Sequence, residues 1–164
     1  MKYDVIIIGW GKAGKTLAKT FSADGKTVAV IERDEKMAGG TCINVACIPT
    51  KTLSVDSVKG TDYVDAFERR NLVVKKLNET NYQNLATEET IDIYFGEASF
   101  KNDRELIVRA GEERFSLKGA LVFINTGSES RIPNIRGIME SKHVYDSTQL
   151  QELPFLPKRH TLSL

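Results

Sequence analysis

The chain has 164 residues, 41% hydrophobic and 27% charged, with a formal net charge of +1. That length suits one ordinary domain or a piece of a larger protein, and the composition is that of a globular chain. The charge balance leaves no footprint for nucleic acid or an anionic membrane, and no run approaches the ~20 apolar residues of a membrane span. Met1–Ile8 lacks the length and flanks of a signal peptide, so a cytoplasmic location is expected, with neither nucleic acid nor membrane as partner. His143 and His160 stand alone, and no metal site is expected.

Tyr3–Ile8 is a short apolar, β-branched run of the kind buried in a parallel sheet. Gly9-Trp10-Gly11-Lys12-Ala13-Gly14 follows it, and Ala13–Asp24 has helical character, with Leu17 and Phe21 four apart and Gly25 as a stop. Thr27–Ile31 is a second buried strand, which closes a β-α-β unit of about 30 residues. The glycines fit G-x-G-x-x-G. The first permits a tight turn, the second close approach of a pyrophosphate and the third close helix packing. The same window extended to Lys15-Thr16 also fits the phosphate loop of nucleotide triphosphatases. Glu32 separates the two readings. It follows the second strand about 20 residues past the loop, where an acidic residue caps a ribose. A triphosphatase needs an acidic residue ending a later apolar strand, and Ala120–Ile124 ends instead in Asn125-Thr126-Gly127.

The next segment, Gly39-Gly40-Thr41-Cys42-Ile43-Asn44-Val45-Ala46-Cys47-Ile48-Pro49-Thr50-Lys51, carries both cysteines of the protein. On an ideal helix they would lie ~7.5 Å apart along the axis. A disulfide tolerates Cα separations of only ~4.4–6.8 Å, so the pair can close only across a tightened or irregular turn. Lys51, four residues after Cys47, shares its helical face and would favour a thiolate. Two buried structural cysteines are the alternative. The segment is expected to run into a helix to about Val58, broken by Gly60.

Asp62 to about Ala86 reads as a helix with an apolar stripe at Val64, Phe67, Val74 and Leu77. Its charges Glu68, Arg69, Arg70, Lys75 and Lys76 read as a solvated face. After Thr90 the period turns toward two, giving strands at Ile91–Phe95, Ala98–Lys101, Glu105–Arg109, Arg114–Leu117 and Ala120–Ile124. Ser128–Leu164 is loop-rich and has no strong period.

Gly9/Gly11/Gly14, Glu32, Gly39-Gly40-Thr41-Cys42, Cys47–Lys51, Gly96–Phe100 and Thr126-Gly127 occur in one order and spacing. Together they make the chain resemble the N-terminal part of class I pyridine nucleotide–disulfide oxidoreductases, a family that includes glutathione reductase, dihydrolipoamide dehydrogenase and mercuric reductase. The resemblance implies an α/β, Rossmann-like FAD-binding fold: a parallel sheet with helices plus a small antiparallel β-meander. Residues 1–150 would be the first segment of the FAD-binding domain, and 151–164 the truncated approach to an NAD(P)H-binding domain. It also implies that Gly9, Gly11 and Gly14 hold the FAD pyrophosphate. Glu32, with Arg33 beside it, would meet the adenosine ribose, and Glu97 and Ala98 the adenine. Thr126 and Gly127 would lie along the cofactor, while Gly40, Thr41, Cys42, Cys47 and Lys51 would stand toward the flavin.

By the same resemblance NAD(P)H reduces FAD, and the flavin reduces Cys42–Cys47. Cys47 would face the flavin in a charge-transfer contact, Cys42 would attack substrate and Lys51 would polarise the flavin ring. Substrates would be a small disulfide, a metal ion or an oxidant, and the complete enzyme a homodimer. The chain departs from the family pattern at Ala46, usually glycine, at Thr50, often serine, and at Asn125, more often alanine. The family's second glycine motif, its return FAD segment and its dimerisation domain with a His-Glu pair do not occur in these residues. A truncated product that binds FAD weakly and does not turn over by itself is therefore expected. A non-catalytic nucleotide-binding module is the alternative, and a phosphate-loop triphosphatase a more distant one.

Overall fold

The structure, a computed structural model, describes residues 1–159 and 161. His160 and residues 162–164, part of the expected approach to a second nucleotide domain, lie outside the described residues.

Six strands form one mixed sheet in the order β3-β2-β1-β6-β5-β4. β1 (Lys2–Ile8), β2 (Val28–Glu32) and edge strand β3 (Ile91–Phe95) run parallel, and the apolar runs of β1 and β2 are covered on both faces. β5 (Glu105–Ala110) pairs antiparallel with both β4 (Glu97–Asn102) and β6 (Glu113–Ile124). Sequence patterning divides that last stretch into two strands at Lys118–Gly119, but the structure forms one. The strand changes partner at Lys118, which pairs with Glu105 of β5 and with Lys2 of β1. Gly119 marks a close approach and not a break, since a Cβ there would come within 2.8 Å of the Ile6 side chain.

The two faces hold separate cores. Val5, Ile7, Val28 and Val30 pack with Trp10, Ala18 and Leu85 beneath α1 (Lys12–Ala23) and α4 (Tyr63–Ala86). Ile6, Ala29 and Ile31 pack with Leu106, Val108 and Leu117 under the antiparallel strands. This is the alternation that strands impose, with successive side chains serving opposite layers.

Two short helices, α2 (Thr41–Asn44) and α3 (Cys47–Val58), lead into α4, and a one-turn α5 spans Ser147–Leu150. On α4 the buried positions are Ala66, Arg70, Asn81 and Leu85, whereas Val64 is exposed. Of the predicted stripe Phe67, Val74 and Leu77 are half-buried while Val64 is not, and of the predicted solvated charges Arg70 alone is buried. Arg69 donates to Asp56 of α3 at 2.7 Å, and Arg70 is buried over the Phe67 ring. The cause is that α4 packs against the polar α2–α3 segment as well as the sheet, so its inner face carries polar side chains.

Candidate functional site

The chain leaves β1 for β2 and β3 on one side, then returns through β6 on the other. The C-terminal ends of β1 and β6 therefore border a topological switch point, where open α/β sheets place ligands. Gly9 and Asn125 occupy it, one residue past each strand. The Gly9 N–H donates to the Ile31 carbonyl and the Asn125 N–H to the Ile8 carbonyl, both at 2.7 Å.

At Gly9 φ is +99°, and a Cβ would meet the Asn125 carbonyl oxygen at 2.2 Å. A Cβ on Gly14 would sit 2.5 Å from the Gly9 carbonyl oxygen. Both positions exclude any larger residue, and they leave the loop free to present main chain at the start of α1. The Glu32 carboxylate accepts from the Trp10 N–H at 2.8 Å and from the Asp34 N–H at 3.2 Å, which holds it at the mouth of the loop. Arg33 beside it is exposed. Trp10 is buried and packs on Tyr82 and Phe95, so the loop is anchored to α4 and β3. Gly96 donates to the Glu32 carbonyl at 2.8 Å, which brings Glu97 and Ala98 next to the same strand end. Thr126 and exposed Gly127 continue from Asn125 at the loop's other flank.

Lys15 and Thr16 do not point to the mouth. The Lys15 ammonium donates to Asn81 Oδ1, and the Thr16 hydroxyl donates to the Lys12 carbonyl at 2.9 Å.

The cysteines sit where helix is interrupted. α2 makes one turn and stops at Val45, and α3 starts afresh at Cys47. Between them the Ala46 N–H reaches back to the Thr41 carbonyl at 2.8 Å, a five-residue loop and not a helical one. Ala46 has φ −117°, outside the left-handed region, so the turn does not demand glycine there. Pro49 falls in the first turn of α3, where its missing N–H costs nothing.

Cys42, half-buried, and Cys47, exposed, are both free thiols. The neighbouring Cys47 thiol is the leading cause that raises the Cys42 thiol above its ordinary value, burial raises it further, and Lys12 then Lys51 pull it back. Sequence spacing gives Lys51 the cationic role alone; Lys12 of the glycine loop shares it. Thr41 and Lys51 are both exposed beside the pair.

An asparagine cluster fastens the turn to α4. Buried Asn44 donates to the Ala38 and Gly40 carbonyls at 3.1 and 2.9 Å. Asn78 donates to the Lys36 carbonyl at 2.6 Å and to Asn44 Oδ1 at 3.0 Å. No spacing rule singles these residues out, because asparagines on a helix look solvated until the partner segment is in place.

Comparison with known proteins agrees with this geometry. The family model for pyridine nucleotide-disulphide oxidoreductases matches residues 3–162. The chain is 48% identical over 156 residues to the probable pyridine nucleotide-disulfide oxidoreductase RclA of Escherichia coli (strain K12), covering 95% of this chain and 35% of that protein. It is 30% identical over 174 residues to mercuric reductase of Staphylococcus aureus, covering 96% and 30%. A solved Cu(II) complex of the HOCl-induced flavoprotein disulfide reductase RclA from Escherichia coli superposes with a TM-score of 0.94 at 48% identity, over 96% of this chain and 36% of that one. The chain thus spans about a third of the length of these relatives.

Proposed function

This chain belongs to the pyridine nucleotide-disulphide oxidoreductase family, and we propose that it is the FAD-binding, redox-disulfide portion of an NAD(P)H-dependent flavoprotein reductase. Residues 1–150 form the first segment of the FAD domain in this reading, and 151–164 lead toward a nicotinamide-binding domain. The observation that carries it is the apposition of the two halves of the site: Gly40, directly before the cysteine turn, packs against Gly11 of the glycine loop.

The residues fit a flavin dinucleotide. The absence of side chains at Gly9, Gly11 and Gly14 lets the loop pack tightly on Asn125 and on itself, and the free N–H groups and dipole at the start of α1 would favour a pyrophosphate. Glu32 carries carboxylate oxygens suited to ribose hydroxyls, with Arg33 at its side, and Glu97 and Ala98 offer main chain to the adenine. Thr126 and Gly127 would lie against the cofactor, and Gly40, Thr41, Cys47 and Lys51 would approach its flavin end. FAD, when bound, supplies two-electron transfer between a nicotinamide donor and the cysteine pair.

The protein's own chemistry is thiol–disulfide exchange. Cys42, as thiolate, attacks a sulfur of the oxidised substrate and releases one reduced thiol. Cys47 then attacks the Cys42 sulfur, releasing the second thiol and closing the protein disulfide. Lys12 and Lys51 favour the Cys42 thiolate. Exposed Cys47 has room for a flavin ring against it. The substrate is a small disulfide, a metal ion or an oxidant, and the complete protein a homodimer. Reading the loop as a triphosphatase site is disfavoured by Lys15 and Thr16, which are engaged elsewhere. A non-catalytic binding module is the reading against which the thiols are tested. NAD(P)H-dependent disulfide reduction by the full protein is expected to vanish in Cys42→Ala and in Cys47→Ala; reduction that persists in both contradicts the thiol roles.

A further inference from the structure

We infer that Asn125 is a positioning residue for the dinucleotide, acting with Glu32 to clamp the Gly9–Trp10 peptide between β6 and β2. Asn125 Nδ2 donates to the Gly9 carbonyl at 3.1 Å, and Glu32 Oε2 accepts from the Trp10 N–H at 2.8 Å. These two groups belong to one peptide unit. A trans peptide is planar, with its C=O and N–H on opposite sides, so two partners on opposite sides fix its rotation. Among the described residues Asn125 Nδ2 is the donor recorded for that carbonyl.

The side chain also fills the hollow of the loop. Nδ2 lies 3.1 Å from where a Gly11 Cβ would be and 2.7 Å from where a Gly14 Cβ would be. It therefore touches all three glycines of the motif. Its own main chain is bonded to Ile8 and runs directly into Thr126 and Gly127. One residue thus joins the two segments assigned to the cofactor. Its amide holds the Gly9 carbonyl, a negative dipole end, toward the end of β6. An alanine at this position leaves the carbonyl without that donor and the peptide free to rock, and Glu32 loses its counterpart on the other side.

This inference rests on the FAD reading, and the experiment separates the two. FAD is titrated into the full-length wild-type, Asn125→Ala and Asn125→Asp proteins, and deuterium exchange at the Trp10 amide is followed without FAD. Asn125→Ala is expected to bind FAD about tenfold more weakly, the scale of one lost hydrogen bond beside a charged group. Its Trp10 amide is expected to exchange faster. Asn125→Asp is expected to bind nearly as wild type at low pH, where the protonated acid can donate to the Gly9 carbonyl. Its affinity relative to wild type at the same pH, a ratio in which effects of Glu32 common to both proteins cancel, falls as the acid ionises. This pH profile decides the matter if Asn125→Ala fails to fold. Wild-type affinity and exchange in Asn125→Ala, or a flat ratio for Asn125→Asp, overturns the clamp while leaving FAD binding intact. A wild-type protein that binds no FAD overturns the functional reading and the clamp with it.

Discussion

The backbone of Gly40 rests on that of Gly11, so closely that a Cβ on Gly40 would lie 2.6 Å from the Gly11 Cα. Gly40 also has φ +75° and ψ −168°, a region open in practice to glycine alone. The contact joins the nucleotide loop to the cysteine turn without an intervening side chain. Gly40→Ala is expected to lose about 1–3 kcal/mol from backbone strain alone, more if the two segments separate. Urea unfolding of the variant beside wild type measures the loss. An unchanged midpoint contradicts the close packing.

The Cys42 thiol carries its own test. Its alkylation by iodoacetamide, followed against pH in the reduced protein, is expected to show an inflection above the usual thiol value of ~8.5. The neighbouring Cys47 thiol is the leading cause, so Cys47→Ala should move that inflection down. Lys12→Gln removes a charge that favours the thiolate and should move it up. An inflection that ignores both substitutions would falsify this account of the thiol.

Asn44 is the buried link between the turn and α4. Asn44→Ala deletes two donated bonds, to Ala38 and Gly40, and leaves Asn78 without its Oδ1 acceptor. A loss of about 2–3 kcal/mol is expected, given the cost of stranding buried polar groups. The variant should also form its disulfide more slowly under a fixed glutathione buffer, because the turn is no longer held. Equal stability and equal oxidation rate would remove Asn44 from the account.

Glu105 gives the expected acid sensitivity. The hydrogen bond from Lys101 at 2.9 Å, followed by the charges of Lys101 and Lys118, holds its carboxyl below the ordinary value. A carboxyl with a depressed folded pKa contributes stability above its unfolded pKa and loses it as pH falls through the folded one. Glu105→Gln should therefore reduce stability at pH 7 and flatten its decline below about pH 4.3, the ordinary glutamate value. Melting temperatures taken across that range show whether the two curves converge in acid.

The fold was legible where one physical rule dominated. Val5–Ile8 and Val28–Ile31 are apolar on both faces and bounded by glycine or charge, so strand, loop and strand follow from composition and spacing. The need for an irregular turn between Cys42 and Cys47 follows from helix rise against disulfide reach. What the sequence hid depends on partners distant in the chain. β6 looks like two strands because Gly119 resembles a break, when it accommodates Ile6 of the neighbouring strand. Arg70 looks solvated because nothing in the sequence announces that α3 packs over its face of α4. Asn125 reads as a departure from a family pattern, and only the folded loop shows what its amide touches.

The central claim is that one site holds both a flavin dinucleotide and the cycling Cys42–Cys47 pair. The most direct test is the visible spectrum of the FAD-loaded full protein, recorded as the cysteines are driven between disulfide and dithiol and compared with Cys47→Ala. The account predicts a change in the flavin bands that follows the thiol state in wild type and is absent in the variant. Bound flavin whose spectrum ignores the thiol state, or a protein that takes up no FAD, contradicts it.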